Sequence, residues 1–137
     1  MTRSPSSFPA GFAQHALFKK RFGTLYLGSR SEPACLWTRA VGYISPGLLR
    51  QELACAEEFA KRHPGGWHFV VDTRGVRLIN PINPFWPRRM IRLPGLLSYV
   101  AIAPRWIRVL AWIGRPIFRP THLVRTEAEG LAIVGYS

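Results

Sequence analysis

Between Asp72 and Glu127 the chain has no acidic residue and no lysine, which leaves ten arginines without a counter-charge in their own segment. Arg74, Arg77, Arg88, Arg89, Arg92, Arg105, Arg108, Arg115, Arg119 and Arg125 contribute +10 of a formal net charge of +12. Residues 1–72 add +4, from nine basic and five acidic side chains, and residues 127–137 add −2. Cysteine is scarce as well. Cys35 and Cys55 do not make a disulfide framework, and both read as small hydrophobic residues of a reducing cytoplasm. No segment reaches the roughly 18 consecutive apolar residues of a membrane-spanning helix. The longest candidate, from Leu93 to Ala103, is interrupted by Pro94, Gly95 and Ser98. Gln14 and His15 break the apolar character of the N-terminus, which excludes a signal peptide.

Catalytic signatures are also missing. His15, His63, His68 and His122 are scattered, with no Cys or carboxylate neighbours at metal-ligand spacing. The chain has no GxSxG elbow, no phosphate-binding glycine-rich loop and no GxGxxG. These absences imply a protein that is not an enzyme and that carries no cofactor and no metal. Asp72 is the best single polar candidate, although a carboxylate that accepts N–H bonds or pairs with Arg74 explains it more simply.

What is present describes a folded domain. The chain has 137 residues, 47% of them hydrophobic and 12% aromatic, enough for one core. Sixteen arginines against three lysines, with much Ala, Gly and Pro, are the bias of a GC-rich genome, so the sign of the charge carries more information than the choice of arginine. Residues 1–21, rich in Ser, Pro and Phe and ending in Lys19-Lys20-Arg21, read as a flexible extension. Phe8, Phe12, Leu17 and Phe18 are its docking candidates. Residues 22–137 form the domain.

A hairpin is expected from Phe22–Gly28 and Cys35–Ile44, joined by the turn-type cluster Ser29 to Pro33. Ser45-Pro46 starts a helix, because a serine hydroxyl caps free N–H groups and proline at the first position gives up no bond. That helix runs to about Arg62, where His63-Pro64-Gly65-Gly66 stops it. At about 100° per residue, Leu48, Leu49, Leu53, Cys55, Ala56, Phe59 and Ala60 share one face. Glu52 falls inside that apolar arc, either as a functional carboxylate with a raised pKa or, more commonly, paired with an arginine or reaching the helix edge.

Trp67–Asp72 is a central strand, followed by a connection from Thr73 to Pro84 and a short helix from about Pro84 to Leu93. Leu96–Ala103 is a second buried strand, Pro104 to about Gly114 a second clear helix, Ile117–Val124 the site of a last strand, and Glu127–Val134 a terminal helix. The order implies an α/β fold, a small four- to five-stranded mixed sheet with helical crossovers.

This order, with Val41-Gly42-Tyr43-Ile44-Ser45, Phe69-Val70-Val71-Asp72 and the segment Tyr99 to Leu110, resembles the STAS superfamily and its SpoIIAA-like branch of small bacterial domains. The likeness continues through Ile117-Phe118 to Glu127–Ala132 and covers about residues 22–136. It implies a regulatory module that binds a protein partner. Its best understood members are anti-sigma-factor antagonists, switched by phosphorylation of a Ser or Thr after an Asp. Here the matching pair falls at Asn80-Pro81, which offers no hydroxyl, and Thr73 comes too early. Asp72, Thr73, Asn80 and Pro81 are therefore the candidate switch region, without the usual switch. The same branch is compared with lipid carriers of the CRAL-TRIO type, which makes an apolar ligand conceivable.

The arginines supply the alternative. On the Pro104 helix, Trp106, Ile107, Val109, Leu110, Ala111 and Ile113 share a broad apolar arc, and Arg105, Arg108 and Arg115 lie opposite, with Trp112 among them. Arg88, Arg89 and Arg92 form a neighbouring cluster. Together these seven residues (Arg88, Arg89, Arg92, Arg105, Arg108, Trp112, Arg115) are a candidate surface for an anionic partner. An anionic membrane or lipid headgroup fits such a surface, with tryptophan at headgroup depth. A cation–π pair under Arg108 or Arg115, or packing against the N-terminal extension, explains Trp112 more simply. Nucleic acid ranks lower because no nucleic-acid fold signature accompanies the charges. The expected location is cytoplasmic, extending to the inner face of the membrane.

Overall fold

The computed structural model describes residues 8–79, 92–106 and 122–135. Within them one six-stranded sheet runs in the order β1-β2-β3-β4-β5-β6. The strands are β1 (Ala13–Lys19), β2 (Gly23–Ser31), β3 (Ala34–Ile44), β4 (Trp67–Ile79), β5 (Leu96–Ile102) and β6 (His122–Val124). The helices are α1 (Pro46–Arg62) and α2 (Glu127–Ile133). β1, β2 and β3 form an antiparallel meander, whereas β3 through β6 are mutually parallel. The mixed α/β class is as expected, with six strands rather than four or five.

The added strand comes from the segment read as part of the extension. Residues 13–19 pair with β2 from Ala13↔Ser29 to Lys19↔Thr24. Ala16 and Phe18 pack against the core while Leu17 between them is exposed, the period-two signature of an edge strand. The run is short and its apolar half faces only one way, so the Ser/Pro/Phe composition around it hid the alternation. Upstream, Phe8 and Phe12 do dock: the Phe12 ring meets Trp37 edge-on at 5.4 Å.

α1 matches its expected bounds because both ends are set by local chemistry. The Leu48 N–H donates to Ser45 Oγ at 3.3 Å, Pro46 opens the first turn, and the His63 N–H closes the last turn onto the Phe59 and Ala60 carbonyls. Its buried face, Leu48, Leu49, Leu53, Ala56, Phe59 and Ala60, packs on Leu25, Leu36, Ala40, Trp67, Phe69, Val71 and Tyr99 of the sheet. Each such large side chain contributes about 1.5–3 kcal/mol on burial. The opposite face carries a smaller cluster of Cys35, Trp37, Val70, Val100, Ile102, Val124 and Val134, with Phe8 and Phe12 against it. Gly130 of α2 sits on Ile102 there, where a Cβ would come within 3.3 Å of the Ile102 side chain.

β4 departs from expectation. The apolar run stops at Asp72, yet the strand continues to Ile79, so residues 73–79, read as the start of a loop, belong to the sheet. β5 follows β4 only as far as Asp72↔Ile102, and beyond that β4 pairs, among the described residues, with β3 alone through Val41↔Gly75 to Ile44↔Ile79. One extra residue of β4 between Asp72 and Gly75 makes a bulge. The bulge breaks the alternation a strand would otherwise show, which explains why sequence pattern missed it.

Candidate functional site

The charged groups gather on the α2 face, midway along β3 and β4 and level with the carboxyl end of β5. Arg39 and Asp72 are register partners on neighbouring strands, and Arg39 Nε donates to Asp72 Oδ2 at 3.3 Å. Arg74, within the bulge two residues on, donates from Nε to Oδ1 at 2.9 Å and from its terminal nitrogen to Oδ2 at 2.7 Å. Its backbone N–H adds a third bond to Oδ1 at 3.1 Å. Glu127, in the first turn of α2, approaches Arg74 at 3.8 Å and Arg39 at 4.0 Å. Hydrogen bonding to Asp72 holds the Arg74 guanidinium above its ordinary pKa despite partial burial. Asp72 thus anchors a four-residue ionic cluster that joins β3, β4 and α2.

Thr73 lies in β4 and not in a loop. Where β5 leaves the ladder, the Thr73 hydroxyl is buried and donates to the Ile102 carbonyl at 2.9 Å. Arg74 and Arg77, read as loop residues, are exposed residues of the same strand. Asn80 and Pro81 lie outside the described residues. So do Arg88, Arg89, Arg108, Trp112 and Arg115 of the expected anionic-partner surface, together with the helices expected over 84–93 and most of 104–114. Of that surface, Arg92 and Arg105 are described, and both are exposed. Trp106, expected on the apolar arc, is 43% exposed beside Arg105.

Glu52 is the second correction. It is 1% exposed and has no arginine partner among the described residues, so neither pairing nor escape to the helix edge accounts for it. It lies under α1 on the face that carries Thr38 and Tyr99. Burial pushes its carboxyl up to about 8, and the Thr38 hydroxyl offsets this only in part. No aligned hydrogen bond joins the two, since Thr38 Oγ1 and Glu52 Oε1 are both without a partner of good geometry among the described residues. The Tyr99 phenol is also pushed well up, first by burial and then by the neighbouring Glu52 charge. At neutral pH the carboxyl therefore stays predominantly protonated.

A third grouping had no sequence signal. Arg30, Cys35, His68 and Ser98 stand in one register row across β2, β3, β4 and β5. His68 Nδ1 and Ser98 Oγ are 2.6 Å apart. Burial and then the Arg30 charge hold the imidazole below its ordinary pKa. Arg30 itself donates to the Pro33 carbonyl at 2.9 Å and the Val134 carbonyl at 3.0 Å. Burial pushes the Cys35 thiol up to about 12, which makes it a poor nucleophile. Thirty residues separate His68 from Ser98, and only the pairing of β4 with β5 brings them together. Among the described residues no group of three His, Cys, Asp or Glu side chains has the arrangement of a metal site.

The fold defines a class: a mixed α/β sheet in which an antiparallel meander leads into parallel strands. The particular likeness is to the crystal structure of an anti-sigma factor antagonist from Mycobacterium paratuberculosis, with a TM-score of 0.50 and 14% identity over 93% of this chain and 97% of that one. At that identity the likeness is one of fold. No family model matches the chain, and no curated protein matches it.

Proposed function

We propose that this chain is a non-enzymatic STAS-like regulatory module of the cytoplasm, which acts by binding a protein partner and lacks the phosphorylatable Ser or Thr usual in the family it resembles. The observation that carries this reading is the fold likeness to an anti-sigma factor antagonist along nearly the whole chain. The polar groups nearest the expected switch position support it. Asp72 is occupied by two guanidiniums, and Thr73 spends its hydroxyl on a backbone carbonyl. The test is purification of the tagged full chain from its own cells, intact-mass measurement, and reconstitution with each purified partner. A defined stoichiometric complex with unphosphorylated chain is expected. Phosphate on residues 73–84 would remove the switchless part of the reading, and the absence of any reconstituted complex would remove the rest.

A second reading, contact with anionic lipid headgroups, is favoured by one observation. Arg105 and Trp106 lie side by side at the surface, and Arg92 is exposed as well. Guanidinium beside indole is the pairing an interfacial surface uses. Among the described residues no helix is long and apolar enough to cross a membrane, so such contact would be peripheral.

A further inference from the structure

We propose that the tip of the β1–β2 hairpin, Lys19 to Phe22, is a docking element for an anionic lipid bilayer. The proposal rests on the lipid reading above and assigns it a different site. Phe22 is 67% exposed, the most exposed large hydrophobic side chain among the described residues. Every other phenylalanine described, Phe8, Phe12, Phe18, Phe59 and Phe69, is at least partly buried. Core packing therefore explains five rings and leaves this one unexplained. Lys19, Lys20 and Arg21 precede it without interruption, all exposed, and none forms an ion pair with a described residue. The Arg21 guanidinium lies 5.1 Å from the centre of the Phe22 ring.

The tip is braced, so the ring is held out by the fold. The Lys20 N–H donates to the Gly23 carbonyl at 2.9 Å, and the Tyr43 N–H donates to the Phe22 carbonyl at 2.8 Å. The second bond needs two glycines. A Cβ at Gly23 would meet the Tyr43 carbonyl oxygen at 1.8 Å, and Gly42 has φ +82 with the Phe22 carbonyl oxygen against it. The chain thus uses two positions that tolerate no side chain to fix an apolar ring in water.

Topology places more of the same chemistry at this end of the sheet. β1 runs toward the tip and β2 starts from it, while Gly23 pairs with Gly42 near the carboxyl end of β3. β4, β5 and β6 are parallel to β3, so Arg105 and Trp106, which follow β5, also lie toward that end. The buried carboxylate of Asp72 and that of Glu127 there are already engaged by Arg39 and Arg74. The net result is two exposed rings among cations that form no ion pair with a described residue. A bilayer fits this better than a nucleic acid does. Single-stranded nucleic acids are held in grooves that stack successive bases, whereas a hairpin tip is convex and suits a plane with phosphates outside and hydrocarbon beneath.

The test is co-sedimentation of the full chain with vesicles of phosphatidylglycerol in phosphatidylcholine, against phosphatidylcholine alone and against single-stranded DNA. Circular dichroism checks that each variant is folded. The expected result is partitioning that needs the anionic lipid and falls about tenfold for Phe22→Ala and about fivefold for Lys20→Ala. If the parent chain binds anionic vesicles and the hairpin variants bind as well as it does, the hairpin assignment fails and the lipid reading stands. If the parent chain ignores both vesicle types, both fail. Binding to DNA alone, weakened by Phe22→Ala, would replace the bilayer with a nucleic acid and overturn the proposal.

Discussion

Glu52 on the α1 face and Asp72 on the α2 face are both almost completely buried, 1% and 2% exposed, yet among the described residues guanidiniums lie beside Asp72 and not beside Glu52. The α1 face is a large apolar layer into which one carboxyl intrudes, and that carboxyl keeps its proton. The α2 face is a smaller apolar layer bordered by Arg39, Asp72, Arg74 and Glu127, and its charges compensate one another. A buried acid is tolerated in either environment, but by different physics: neutralisation by protonation on one side and by ion pairing on the other.

Four substitutions probe these two faces. The largest effect belongs to Asp72→Ala, which removes the carboxylate 3.3 Å from the buried Arg39. Urea denaturation should show a loss of about 3–5 kcal/mol. Arg74→Ala, at a side chain that is 41% exposed, should lose no more than about 1 kcal/mol. Equal losses for the two would mean that Arg39 is not the residue that makes Asp72 necessary.

Glu52 sets the second test through pH. Its carboxyl rises from an ordinary value of 4.5 to about 8 on folding. The folded state therefore binds more protons between those values, and the stabilising contribution is complete below the lower one. It declines as pH rises and is lost above about 8, an effect on the order of a few kcal/mol. Glu52→Gln, which mimics the protonated form, should match the parent chain in mildly acidic solution and exceed it in alkaline solution. Identical pH profiles for the two chains would assign the slope to another group. The smallest effect is expected for Ser98→Ala, which removes the 2.6 Å contact with His68. A loss of about 1 kcal/mol, read as a lowered Tm, would mark that contact as structural. An unchanged Tm would show that it contributes nothing to the α2 face.

Legibility followed the range of the interactions. α1 was readable to the residue because Ser45, Pro46 and His63-Pro64-Gly65 act within one turn of it. α2 was readable for the same reason, as the Thr126 side chain caps Glu129 N–H at 3.2 Å. β1 was not, because an edge strand with one apolar face has little pattern of its own and exists through its pairing with β2. The second half of β4 was hidden by the bulge at Thr73–Arg74 and is held by β3 alone. For the site, Asp72 and its pairing with Arg74 could be anticipated from adjacency, whereas Arg39 and Glu127 join only through strand register and the docking of α2.

The amino-acid order by itself determined the one-signed arginine segment, the two capped helices, the α/β class and the absence of any recognisable catalytic motif, since all of these are local or compositional properties. Tertiary structure alone decided which buried acid is paired and which is protonated, because that depends on the chemistry facing each residue from other strands. It also decided that Lys19-Lys20-Arg21-Phe22 ends a braced hairpin and not a loose tail. Two glycines in contact across β2 and β3 hold that tip in place, and no reading of the segment on its own could reveal them.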